Sequence, residues 1–307
     1  MSNHAVIHNA GSLNIDDVFR TSHIVRPGET IPSRILERYA GGKGLNQTTA
    51  LARAGARVRH VGRIGEDGLF LKHGLAADGA DVSGIAIGAI PTGHAIIQVA
   101  DDGENAIVLY GGANRSWDES DVDRLIAGAT PKDIVLLQNE INLAPEILTK
   151  ASNAGLALAM NPAPMGPEVI DYPLERLSWL VVNEIEGREL SGIELENSGT
   201  DESYEAIVME LRRLFPKAVI VITLGKKGAI RADASGMIRA SFPDQGPIVD
   251  TTGAGDTFMG YFLAGEISRM PYEENLRRAC AAGAIAVTRK GATQGIPLLS
   301  EVEEILK

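Results

Sequence analysis

An α/β fold is predicted by this sequence: a mostly parallel central sheet with helices on both faces, plus a small β-sheet lid. Three observations carry the prediction. Strand-like and helix-like segments alternate along most of the 307 residues, and repeated strand–helix units imply a parallel sheet. The segment "AVIVITLG" (218–225) is a continuous apolar run, the pattern of a strand buried on both faces. Aromatic residues are only 5% of the chain while glycines number 34, which suits tight strand–helix turns better than an aromatic-rich sandwich.

The elements follow in order. "AVIHNAG" (5–11) reads as a first buried strand, and "GLNQTTALARAGA" (44–56) as a helix closing at Gly55. "RVRHVGRIG" (57–65) returns as a strand and "EDGLFLKHGLAADGA" (66–80) as a helix. "GHAIIQVADDGENAIVLYGG" (93–112) is a hairpin around the turn Asp101–Glu104. Then "DIVLLQNE" (133–140) is a strand, "LAPEILTKASNAG" (143–155) a helix, "LALAMNP" (156–162) a strand, and "WLVVNE" (179–184) a strand feeding a helix. "YEAIVMELRRLF" (204–215) has a helical period, and the apolar strand at 218–225 leads into a second hairpin, "GAIRADASGMIRASF" (228–242). Helices at 253–267 and 272–290 and a short one at 299–307 close the chain.

Segments 14–40 and 90–112 interrupt the alternation and are assigned to the lid, although sequence alone does not say how they pair. With no repeat, linker or low-complexity tract, residues 1–307 read as one domain. A net charge of −11, from 29 Lys and Arg against 40 Asp and Glu, argues against nucleic-acid and anionic-membrane partners. No apolar run reaches the ~20 residues that span a bilayer, and the start lacks a signal-peptide pattern. The single cysteine, Cys280, precludes an intramolecular disulfide, so a cytoplasmic location is expected. The six histidines (4, 8, 23, 60, 73 and 94) show no metal-binding spacing, and His94 is expected to be structural rather than a sugar contact.

Two nucleotide motifs fail. A Walker A loop ends G-K-[ST], but Gly44 follows Gly42-Lys43 and Glu37 occupies the first glycine position; a dinucleotide G-x-G-x-x-G fails at Phe258. "DTTGAGDTF" (250–258) offers something else. A helix N-terminus exposes unpaired N–H groups and partial positive charge, and the minimal side chains of Gly253, Ala254 and Gly255 let a phosphate approach them. Asp256, in the first turn, is then placed to take a proton from a hydroxyl attacking that phosphorus. Alone, so short a motif equally describes a tight turn followed by a favourably placed acid.

The surrounding residues decide between these. "DTTGAGDTF" resembles the C-terminal signature of the ribokinase-like (PfkB) carbohydrate kinases, and "GGKGLNQTTALARAGARVRHVGRIGEDG" (41–68) resembles their N-terminal signature. "GSLNIDD", "PGET", "GGAN", "NPAP", "NEIE", "TLGKKG" and "AVTRKGA" fall in the family's order, so the resemblance spans essentially the whole chain.

The resemblance implies Asp256 as catalytic base and Gly253, Ala254 and Gly255 as the anion hole. It implies a sugar site of Asn14, Asp16, Gly42, Lys43, Asn46 and Glu140, whose mix of donors and acceptors suits a polyhydroxylated furanose. ATP is expected at Asn183, Thr223, Gly225, Gly228 and Gly255, with Cys280 where a histidine often lies near adenine. Lys226 and Lys227 either add charge there or are surface lysines. Glu186 is implied for Mg²⁺. Asp250, Thr252, Ala286, Arg289, Gly291 and Gly295 are implied for K⁺, with Gly295 standing where the family typically has a serine. The implied reaction is ATP-dependent phosphorylation of the 5-hydroxyl of D-ribose by a homodimer paired through the lid. A kinase for fructose or another ketose, deoxyribose or a nucleoside is the alternative, and a sugar sensor without turnover a third.

Overall fold

The computed structural model describes residues 5–193 and 200–307. The first strands are β1 (Ile7–Ala10), β2 (Asn14–Arg20) and β3 (Ile35–Gly41), followed by α1 (Lys43–Arg53), β4 (Val58–Gly65), α2 (Leu69–Ala77) and β5 (Asp81–Gly88). Next come β6 (Gly93–Val99), β7 (Asn105–Tyr110), α3 (Glu119–Ile126), β8 (Ile134–Gln138), α4 (Ala144–Asn153) and β9 (Ala157–Asn161). After them lie β10 (Trp179–Asn183), α5 (Glu184–Ser191), α6 (Asp201–Leu214), β11 (Val219–Thr223), β12 (Ala229–Asp233) and β13 (Gly236–Ala240). The chain closes with α7 (Ala254–Ile267), α8 (Tyr272–Ala286), α9 (Ala292–Gly295) and α10 (Leu299–Leu306). Strand β5 and helix α3 lie where the sequence reading assigned no element.

Among the described residues, nine strands form one sheet in the order β13-β12-β11-β10-β9-β8-β1-β4-β5, parallel except for the β12–β13 hairpin edge. Its strands alternate between two cores. In β8, Ile134 and Leu136 face the layer containing α1, α7 and α8, while Val135 and Leu137 face α4 and α6. That two-sided burial is why these strands read as unbroken apolar runs.

The remaining strands form a second sheet in the order β3-β2-β6-β7. The two lid segments meet through the parallel pair β2–β6, Asn14 opposite Gly93 through Arg20 opposite Val99. Pairing between segments 79 residues apart has no local signal in the sequence. Within the large sheet, β1 lies between β4 and β8, and the chain runs outward from it in both directions. Such a reversal of strand order opens a crevice beyond the carboxyl ends of the strands, where ligands bind in open α/β sheets.

Candidate active site

A cleft of about 350 Å³ opens at the carboxyl ends of β9, β10 and β11, lined by Lys43, Asn161, Asn183, Glu186, Thr223, Thr252, Gly253, Gly255 and Asp256 among others. Two helix N-termini, those of α1 and α7, point their first residues at it.

Helix α7 begins at Gly253, whose φ of 75° is left-handed backbone that a side chain disfavours; no side chain caps the helix. A Cβ built on Gly255 would meet nothing within 4 Å, so the first turn opens directly onto the cleft. Asp256 is only 5% exposed. Asn46 Nδ2 donates to its Oδ2 at 3.0 Å and Gln47 Nε2 to its Oδ1 at 2.9 Å. Both oxygens therefore accept, the arrangement an ionised carboxylate prefers.

Helix α1 begins at Gly42, which has a φ of 93° and no capping side chain. Other segments supply the caps: Glu140 Oε2 accepts the Lys43 N–H at 2.9 Å, Ser12 Oγ accepts the Gly44 N–H at 3.1 Å, and the Ser12 hydroxyl donates to Glu140. The Lys43 side chain carries its ammonium towards Asp256, with Glu140 and Glu186 also near. Chiefly the Asp256 charge holds its pKa above the ordinary lysine value. The cleft thus combines a fixed carboxylate, a cation and an open helix N-terminus.

At the junction of the two sheets, burial pushes the Asp16 carboxyl up to about 7, with the Glu140 charge adding to the effect. The carboxylate packs against Gly41 of β3, where a Cβ would collide with it. Asn14 is oriented by Asn114, which donates to its Oδ1 at 2.7 Å and is itself fixed by the Leu13 backbone. His94 bonds Asp17 Oδ2 at 2.8 Å and Arg38 bonds the same carboxylate through two nitrogens, so His94 is held within the small sheet.

On the other side, Asn183 caps α5: its Oδ1 accepts the Ile185 and Glu186 N–H groups, and Glu186 Oε2 accepts the Asn183 N–H at 2.9 Å. Glu186 lies buried, and desolvation raises its pKa, with the nearby Asp256 charge acting the same way. Thr223 ends β11 on the cleft wall, and Gly225 and Gly228, with φ of 52° and 91°, bound the turn that follows. Lys227 lies over the Tyr204 ring, 5.1 Å from its centre. Cys280 is fully buried, its Sγ 3.8 Å from the Ala240 carbonyl, and it does not line the cleft.

Behind the α7 N-terminus, Asp250 accepts the Thr252 and Gly291 N–H groups, both at 2.9 Å. Arg289 pairs with Glu301, and the Ala286 carbonyl would lie 3.2 Å from a Cβ placed on Gly295. This loop is tied to the small sheet. Lys290 bridges to Glu37 at 3.2 Å, and Thr293 Oγ1 lies 2.9 Å from the Ala40 carbonyl and 3.0 Å from Asn46 Oδ1. Bonds from the Tyr39 hydroxyl, Lys290 and Arg20 hold the Glu37 carboxyl down at about 2.

Sequence reasoning did not select Ser12, Gln47, Asn114, Asn161 or Thr293. One signal was present for Gln47: α1 carries Asn-Gln-Thr-Thr in its middle, and all four are buried. A helix with no charged residue in such a stretch is using its polar groups inside the protein.

A buried carboxylate at an uncapped helix N-terminus, with a lysine and a second carboxylate lining the same cleft, suits a phosphotransferase acting on an alcohol. The model of the pfkB family carbohydrate kinases matches residues 7–299, and the chain belongs to that family. It is 35% identical to the ribokinase of Haemophilus influenzae, over 97% of each chain. The crystal structure of ribokinase from Cryptococcus neoformans var. grubii in complex with ADP superposes with a TM-score of 0.88 at 36% identity, covering 98% of this chain and 99% of that one. Arabidopsis thaliana ribokinase complexed with ribose and ATP gives 0.87 at 29% identity, covering 99% of both.

Proposed function

We propose that this kinase transfers the γ-phosphoryl group of ATP to the 5-hydroxyl of D-ribose. The observation that carries the reading is Asp256, an acceptor-only carboxylate at the open N-terminus of α7. Its support comes from the ribokinase relatives, one of them complexed with ribose and ATP. Asp256 takes the proton from the 5-hydroxyl as that oxygen attacks the γ-phosphorus; the bond from the γ-phosphorus to the bridging oxygen breaks, and ADP leaves with the electron pair. The N–H groups of Gly255 and its neighbours, together with Lys43, stabilise the charge on the transferring group. Asn14, Asp16, Gly42, Lys43, Asn46 and Glu140 hold the sugar. Such a polar site rejects analogues lacking a hydroxyl, because its own groups are left unpaired.

The nucleotide side fits Mg²⁺ bound mainly through phosphates and water: Glu186 offers a carboxylate whose pKa burial and Asp256 have raised, and among the described residues no cluster of three metal ligands exists. Bound there with ATP, Mg²⁺ would neutralise charge on the phosphate oxygens. For K⁺, the Asp250 carboxylate and the Ala286 carbonyl supply oxygens, while Gly295 supplies no side-chain oxygen. The lid is proposed to pair two copies of the chain, since Ile107, Val108, Leu109 and Tyr110 of β7 are all exposed. A panel of ribose, deoxyribose, fructose and adenosine assayed with ATP tests the reading. Preference for ribose is expected; equal or better turnover of another acceptor overturns it.

A further inference from the structure

The base is joined to a chain of buried amides that no step of the phosphoryl transfer uses. Gln47 Oε1 accepts from Gln138 Nε2 at 2.7 Å, and Gln138 Nε2 also donates to Asn9 Oδ1 at 3.0 Å. Asn9 Nδ2 donates to the Gly44 carbonyl and to Thr48 Oγ1, both at 2.8 Å, and Thr48 Oγ1 lies 2.7 Å from His60 Nδ1. All five side chains, Gln47, Gln138, Asn9, Thr48 and His60, are at most 1% exposed. The chain crosses from α1 to β8, β1 and β4.

Its direction is fixed at both ends. Asp256 only accepts, so Gln47 presents its NH₂ to the base and its oxygen to Gln138. The second hydrogen of Gln47 goes to Asn161 Oδ1 at 3.3 Å, and Asn161 is fixed by its own donation to the Val181 carbonyl. Gln138 then spends both hydrogens, on Gln47 and Asn9. Asn9 presents its NH₂ to Thr48, whose hydroxyl donates to Nδ1 of His60. Burial lowers the His60 pKa to about 4, so its ring is neutral and Nδ1 is free to accept. Reversing any one amide sets oxygen against oxygen or NH₂ against NH₂ in a site without water access.

We propose that Gln138 is a positioning residue for the phosphoryl transfer, acting through Gln47 to keep an amide donor, never an amide oxygen, against the base Asp256. A flipped Gln47 would place its oxygen against the carboxylate and turn the base away from the acceptor hydroxyl. Neither glutamine touches sugar or ATP in this scheme, so the loss belongs to kcat and not to KM. The inference rests on the role given to Asp256 above.

Gln138→Met, Gln47→Met and the double variant test it in the full-length kinase, with kcat, both KM values and the melting temperature measured for each. Gln138→Leu, a shorter apolar replacement, guards against a folding failure of Gln138→Met. The expected result is a fall in kcat of about tenfold for Gln138→Met with both KM values nearly unchanged, and a double variant no slower than Gln47→Met alone. Once Gln47 is gone, Gln138 has nothing left to orient. Losses that multiply in the double variant, or a folded Gln138 variant with full kcat, overturn the proposal. A wrong role for Asp256 is recognised separately, by full activity of Asp256→Asn.

Discussion

The two sheets bury their side chains in opposite ways. In the large sheet the strands are sandwiched between two helical layers, and the polar groups at their carboxyl ends are locked by bonds to other segments. Beside those ends, Asp256 on α7 and Glu140 after β8 both hold fixed partners. The small sheet has an unfinished edge: Leu109 is 64% and Val108 63% exposed, on opposite faces of β7, the edge strand of that sheet among the described residues. The contrast separates two tasks. Chemistry needs groups that do not reorganise, and the large sheet supplies them. The proposed pairing of two copies needs a surface still open to a partner.

Four substitutions break or sharpen that contrast, taken from the largest effect downward. Asp256→Asn removes the proposed base, so turnover of ribose with ATP should fall by about 10²–10⁴-fold. Asp16→Asn, at the seam of the sheets, should raise the KM for ribose by about 10- to 100-fold, the cost of losing a charge-assisted hydrogen bond. It also carries a pH signature. The Asp16 pKa is raised from 3.8 to about 7, so its contribution to stability is fully present below pH 4 and lost as the pH rises through 7. Relative to the parent, the Asn variant should therefore melt higher at pH 8, an advantage that disappears by pH 4; a pH series of melting curves checks it.

Glu140→Gln keeps an acceptor for the Lys43 N–H but removes a counter-charge to the Lys43 ammonium. A rise in ribose KM of about tenfold with little change in kcat is expected from steady-state assays. Leu109→Arg, on the edge strand β7, should change turnover least and halve the mass in light scattering. A variant that keeps the parent's dimeric mass, or a parent already monomeric, removes the lid as the pairing surface.

The parts of this contrast that could be read in the sequence follow a physical rule. Local patterns revealed the large sheet, because two-sided burial makes runs such as Ile220–Ile222 apolar without interruption. The start of α7 was readable for a similar reason: only glycine or alanine leaves backbone N–H groups open to a phosphate. Strand β5 escaped because Asp81–Gly88 is half exposed and rich in small residues, and α3 because a short helix with mostly acidic first residues resembles a solvated turn. Gln47 and Gln138 escaped because a buried amide has the same letter as an exposed one.

The sequence by itself determined the strand–helix alternation along most of the chain, the acid at the head of α7 and the phosphate-accessible glycines before it, since each depends on residues adjacent in the chain. Only the tertiary structure decided that β2 pairs with β6, that Glu140 and Ser12 cap α1, and that the amide of Gln47 faces Asp256 across more than 200 residues. Hydrogen bonds of that kind depend on distance in space, and distance in space is set by how helices pack on the sheet.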